Sequence, residues 1–168
     1  MCATFGMWFA KKTEYKPIKD ATMRKFMIVL AAVVASLGCS AAEMDDTPIK
    51  ADALPSAAKK FLKDEFPSCN ILYSTKDVDL SGLEYTVGLS CGYVVEFKGN
   101  GEWKDIDGKG KALPESVIPA AVRKTIEQSF PGTLVTEISK ERGGYEVKLN
   151  NGLEVKLNNS GQILEVDD

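Results

Sequence analysis

The sequence predicts an α+β fold: tandem α-β-β-β-β units forming one antiparallel sheet of about eight strands, with two helices packed on one face. Three observations predict it. First, Pro55–Pro67 (PSAAKKFLKDEFP) realigns on Pro119–Pro131 (PAAVRKTIEQSFP) at an offset of 64, and Tyr85–Asp107 realigns on Tyr145–Asp167 at an offset of 60. Second, within each copy the apolar period changes from helical to two. Third, short turns rich in Asn and Gly separate the period-two runs. A repeat of this length is one supersecondary unit that completes its core only against a neighbour. The difference between the two offsets places an insertion between Asp77 and Tyr85.

Taken in chain order, residues 1–22 carry Trp8, Lys11 and Lys12 without apolar periodicity and are read as a gene-start artefact or an extension. Residues 23–42 have the three parts of a secretory signal: Arg24 and Lys25, the apolar run Phe26–Leu37, and small residues that suit cleavage after Ala41 or Ala42. The run is shorter than the roughly 20 residues that cross a bilayer. A rival reading rests on Ser36-Leu37-Gly38-Cys39, which has the form of a lipoprotein cleavage box with Ser36 where a branched aliphatic residue is preferred. It would make Cys39 a lipid-anchored N-terminus. The two units then occupy 43–109 and 110–168, as one folded domain over 53–168.

Each unit opens on a proline and an amphipathic run. Ala58, Phe61, Leu62 and Phe66 recur at helical spacing in the first, and Val122, Ile126 and Phe130 in the second. Proline suits a helix start, where its missing N–H has no partner to lose. Pro67 and Pro131 end both helices. A first strand follows near Asn70–Lys76 and Leu134–Lys140. Then Tyr145, Val147 and Leu149 alternate with Glu146 and Lys148, and Leu153, Val155 and Leu157 with Glu154 and Lys156. The faces select the turn between them. A two-residue Asn-Gly loop would set Leu149 against Glu154, whereas the three-residue loop Asn150-Asn151-Gly152 sets Leu149 against Leu153 and Val147 against Val155. That predicts a type I turn with Gly152 in the left-handed bulge position, and the same role for Ser90-Cys91-Gly92. Glu146 then faces Lys156 and Lys148 faces Glu154 on a solvated outer surface. The last strand has no consistent parity, because Trp103 and Ile106 (Ile163 and Val166) both point inward only across a bulge.

Composition narrows the chemistry. The chain has no histidine, which removes the commonest general base, the histidine-dependent nucleophile arrangements and most zinc sites. Asp105-Ile106-Asp107-Gly108 begins like a calcium loop, but the third acid is missing and no bidentate Glu follows at the required distance. No catalytic residue, cofactor or metal is assigned. Without residues 1–42, Lys+Arg falls from 21 to 15 and Asp+Glu from 24 to 22, so the net charge moves from −3 to −7. Nucleic acid, which needs a basic footprint, is not an expected partner.

Cys69 and Cys91 remain after cleavage. In an oxidising compartment they are candidates for a disulfide, since a hairpin centred near residue 80 sets them opposite each other; the second copy has Thr133 and Asn151 there. Among aromatics, Tyr85, Tyr93, Phe97 and Tyr145 fall on the core face. Tyr73 and Trp103 stand where the second copy has Glu137 and Ile163, and Thr86, Gly88 and Val94 where it has Glu146, Lys148 and Glu154. Tyr73, Thr86, Gly88, Val94 and Trp103 are therefore the candidate partner-binding residues, an uncharged patch on an otherwise charged sheet.

The run Tyr145-Glu-Val-Lys-Leu-Asn-Asn-Gly-Leu-Glu-Val and the closing Gly-Gln-Ile-Leu-Glu-Val-Asp-Asp resemble the PepSY-like family of secreted proteins from Bacteroides-type bacteria, over about Ala53–Asp168. The resemblance implies a beta-lactamase-inhibitor-protein-like fold, a periplasmic or exported location, and a link to peptidase inhibition or protein binding by the sheet face. It carries no catalytic residue. The charged outer face of the second copy departs from the aromatic concave face by which that inhibitor grips its enzyme. The expectation is a non-enzymatic, exported binding module for a protein or peptide. The alternative is a cell-envelope protein holding a lipid or glycan between helices and sheet, lined by Leu62, Phe66, Ile126 and Phe130.

Overall fold

A computed structural model describes residues 46–79 and 82–168. Residues 1–22, the signal sequence expected at 23–42 and Cys39 lie outside the described residues. The elements are β1 (Thr47–Pro48), α1 (Ser56–Glu65), β2 (Ile71–Asp79), β3 (Gly82–Leu89), β4 (Val94–Lys98), β5 (Trp103–Asp107), α2 (Ala120–Ser129), β6 (Val135–Glu141), β7 (Gly144–Leu149), β8 (Glu154–Asn158) and β9 (Ile163–Asp167). Among the described residues they form one nine-stranded antiparallel sheet whose spatial order is the chain order, β1 to β9. The order α-β-β-β-β therefore occurs twice. The strand beyond the expected eight is β1, whose partner β2 lies far along the chain.

Both helices start and stop where proline dictates. The carbonyls of Pro55 and Pro119 accept from Lys59 N at 3.1 Å and Arg123 N at 2.9 Å, and Phe66 and Phe130 close the last turns before Pro67 and Pro131. Their apolar stripes, Ala58 and Leu62 on α1, Val122 and Ile126 on α2, are buried against a row that crosses the sheet. That row is Val87, Val95, Ile106, Ile138, Val147 and Val155, each 0% exposed and each opposite the next across paired strands. Burying one such side chain stabilises by roughly 1.5–3 kcal/mol, which makes this row the backbone of the core. Two turns tuck beneath the helix starts. A Cβ on Gly101 would stand 2.8 Å from Pro55, and one on Gly161 would stand 2.6 Å from the Ala121 carbonyl.

The hairpins have the geometry their faces require. Leu149 N donates to the Leu153 carbonyl at 2.8 Å and Gly152 N to Leu149 at 3.0 Å, with Gly152 at φ +94°. Leu89, Tyr93 and Gly92 repeat the arrangement. Bulges settle the parity that alternation left open. Phe97 faces Trp103 while Glu96 faces Asp105, so Lys104 is the extra residue. Leu157 faces Ile163 while Lys156 faces Glu165, so Leu164 is its counterpart. Trp103 and Ile106 thus both reach the core side. A further pair of bulges, with Leu72 and Thr136 as extra residues, interrupts β2–β3 and β6–β7.

Cys69 and Cys91 are joined by a disulfide with their Cα atoms 5.5 Å apart. It ties the loop after α1 to the β3–β4 hairpin.

Candidate functional site

The helices pack on one face of the sheet, and the strand registers define what lies on the other. One row runs Tyr73, Gly88, Val94, Asp107, Glu137, Lys148, Glu154, Asp167 from β2 to β9. Its neighbour runs Thr75, Thr86, Glu96, Asp105, Ser139, Glu146, Lys156, Glu165. Four of the five candidate binding residues, Tyr73, Thr86, Gly88 and Val94, are brought together at the first end of these rows.

Tyr73 and Gly88 act as one unit. A Cβ built on Gly88 would stand 2.0 Å from the Tyr73 ring, so the absence of a side chain lets the ring lie flat over strand β3. Aromatic cover of a strand glycine is a known device of sheet stability. The ring buries Gly88 and remains 50% exposed itself. The surface on offer is therefore Tyr73, Thr86 and the half-buried Val94, with Leu72 exposed beside Tyr73 in the bulge. Gly88 contributes by what it lacks.

Trp103 is elsewhere. The β4–β5 bulge turns it to the helix side, where its ring centroid is 6.4 Å from Phe61 and 6.4 Å from Tyr145. Lys140 Nζ stands 4.0 Å from the Trp103 ring centroid. Burial is the main influence on that ammonium and lowers its pKa from the ordinary lysine value. The cation–π contact favours the charged form.

Beyond Val94 the outer rows turn acidic. They hold eight carboxylates (Glu96, Asp105, Asp107, Glu137, Glu146, Glu154, Glu165, Asp167) and two lysines, Lys148 and Lys156. Asp107 faces Glu137, Glu96 faces Asp105, and Glu154 faces Asp167, directly across paired strands. Such like-charge pairs are unfavourable in themselves, and local partners soften them. Asp105, only 4% exposed, accepts the Ser139 hydroxyl across the β5–β6 seam. Asp107 pairs with Lys109 of the following turn. Lys148 Nζ donates to Glu154 at 3.0 Å, the first cause of its raised pKa. Lys156 bridges to Glu165 and Asp167 rather than to Glu146 opposite, and these bonds hold its ammonium above the ordinary lysine range. Glu146 is left partly buried, and burial followed by the nearby Glu154 raises its pKa.

The uncharged end of this surface is legible in the sequence, whereas the acidic rows that continue it are not. Asp107, Glu137 and Glu96 become neighbours only through the β4–β5 and β5–β6 registers. Among the described residues no group of three or more His, Cys, Asp or Glu side chains is arranged to hold a metal ion, and no helix is long and apolar enough to cross a membrane.

Comparison with known proteins follows the same lines. A family model described as beta-lactamase-inhibitor-like, PepSY-like matches residues 83–165, from β3 to β9. Two solved Bacteroides vulgatus proteins, both provisionally described as periplasmic, are 30% and 33% identical to this chain. They cover 76% and 74% of it and 100% of their own length, each at a TM-score of 0.70. A Bacteroides thetaiotaomicron protein, provisionally described as periplasmic and calcium-regulated, is 31% identical over 74% of this chain and 98% of its own, also at 0.70. A search among curated proteins found no match.

Proposed function

We propose that this chain, which belongs to the PepSY-like family, is an exported, non-enzymatic binding module that engages a protein or peptide through the outer face of its sheet near Tyr73, Thr86 and Val94. The observation that carries the reading is the Tyr73 ring laid over Gly88 beside Val94, on the side opposite both helices. An exposed aromatic on a rigid strand, with one side already packed, loses little freedom when a partner covers it. The family description, which likens these proteins to an inhibitor, supports a protein partner. The provisionally periplasmic relatives support export, with residues 23–42 as the signal and lipid anchoring at Cys39 as its rival. In this reading the two α-β-β-β-β segments are a duplication whose first copy kept an uncharged outer surface.

The reading that a lipid or glycan sits between helices and sheet is weaker. Leu62, Phe66 and Ile126 are buried in one hydrophobic cluster with Phe130 packed against it, and the Phe66 ring is 5.2 Å from Tyr93.

Immobilised mature protein is expected to retrieve a partner from its own periplasm, and Val94→Glu is expected to lose it. A variant that retrieves the same partner as wild type would remove the patch from consideration. Mass spectrometry of the native N-terminus separates cleavage after Ala41 or Ala42 from a lipidated Cys39.

A further inference from the structure

Resting on that docking reading, we infer that the partner is a cationic peptide segment: an aromatic or apolar residue seated on the Tyr73–Val94 patch, followed by lysines or arginines that run across β5 to β9. Charge complementarity carries the inference. The outer rows from β4 onward hold eight carboxylates against two row lysines, Lys148 and Lys156, and with Lys109 on Asp107 the rows still keep a net negative charge. The acidity is concentrated on this face, because the helices on the other side carry Lys59, Lys60, Lys63, Arg123 and Lys124 against Asp64, Glu65 and Glu127. Glu96, Asp107 and Glu137 border Val94 and are half-buried. Asp107 faces Glu137 and Glu96 faces Asp105, like-charged oppositions that local partners such as Lys109 soften, and a cation laid along them adds to that relief.

The spacing sets the register of the ligand. Neighbouring strands lie about 4.8 Å apart, so Asp107 and Glu137 stand roughly 5 and 10 Å beyond Val94, and Asp167 about 24 Å beyond it. An extended peptide covers that distance in about seven residues. Its basic residues therefore begin one to three positions after the anchor. Charge-assisted hydrogen bonds to half-buried carboxylates hold it, and association slows as salt screens the face.

The probe is a fluorescein-labelled peptide with one tryptophan followed by three lysines alternating with glycine, measured by anisotropy on the mature protein. We expect binding that weakens at least tenfold when glutamates replace the lysines, when glycine replaces the tryptophan, and when the protein carries Glu96→Gln with Glu137→Gln. Raising salt from about 0.05 to about 0.5 M, which shortens the screening length severalfold, is expected to weaken it likewise. Val94→Glu is expected to abolish anchoring, and Thr86→Glu serves the same purpose should Val94→Glu lower the melting temperature. A lysine peptide that fails to bind, or binds no better than its glutamate counterpart, overturns the cationic partner. So does binding indifferent to the Glu96/Glu137 pair. If retrieval of the periplasmic partner is still lost in Val94→Glu, the docking face stands and only the partner's charge was wrong. If Val94→Glu and Thr86→Glu change neither assay, the docking face falls with it.

Discussion

The first α-β-β-β-β segment and the second build the same core and present different surfaces. Val87 and Val95 in one, Val147 and Val155 in the other, belong to a single buried row. On the outside, Tyr73, Gly88, Val94 and Thr86 stand where the second segment has Glu137, Lys148, Glu154 and Glu146. Interior positions answer to packing that both segments share, whereas outer positions answer only to whatever meets them. The contrast reaches the sheet edge as well. Ile106 on β5 is 0% exposed, but Val166, its counterpart on β9, is 44% exposed, since β5 lies between β4 and β6 and β9, among the described residues, pairs with β8 alone.

That edge effect yields the largest difference to test. Ile106→Ala is expected to cost about 2–5 kcal/mol, the range for truncating a buried aliphatic. Val166→Ala, a change at the matching position, should stay near 0.5 kcal/mol as surface substitutions do. Urea denaturation midpoints compare the two directly; equal losses would mean that β9 is buried by something further. The disulfide is the next asymmetry. The loop after each helix is bonded to the hairpin in both segments, through Asn70 N to Ser90 Oγ at 2.9 Å and Leu134 N to Asn150 Oδ1 at 3.0 Å, and only the first adds Cys69–Cys91. Replacing both cysteines with alanine should cost about 3 kcal/mol, read as a lower melting temperature that reductant no longer affects.

A smaller effect sharpens the outer surfaces. Gly88→Ala puts a methyl where the Tyr73 ring lies, so it should swing the ring away and destabilise the fold by about 1 kcal/mol. In the Tyr73→Ala background the same change should cost much less, a coupling that a double-mutant cycle measures. Simple additivity would mean that the ring and the glycine are independent. The smallest effect belongs to Glu146 in the charged segment. Its pKa is raised by burial first, then by Glu154, with Glu141 and Asp167 adding and Lys156 opposing. A raised carboxylate pKa means that the fold disfavours the ionised form. The stability carried by the neutral form is present below the ordinary value of 4.5 and lost as pH rises through the raised one. Glu146→Gln should therefore be slightly more stable than wild type at neutral pH, by no more than about 0.5 kcal/mol because solvent screens a partly exposed group. The two should converge below the ordinary glutamate range, as pH-dependent melting curves would record.

Much of this was readable in the chain because the signals are local. Helix starts at Pro55 and Pro119 and stops before Pro67 and Pro131 need only the residues themselves, and the three-residue hairpins follow from which neighbours must share a face. Trp103 shows where local reading ends. Its alternation allows either side, and the extra residue Lys104, opposite nothing on β4, decides it. β1 was equally hidden, since Thr47–Pro48 becomes a strand only by lying against Thr75 and Lys76.

The sequence by itself determined the element order, the apolar stripes and the uncharged character of Tyr73, Thr86, Gly88 and Val94, because periodicity and turn chemistry act over a few residues. Tertiary structure alone decided the bulges, the seam that sets Asp107 against Glu137, and the seating of Tyr73 over Gly88. These are relations between strands, and pairing register brings together residues whose positions along the chain carry no mark of one another.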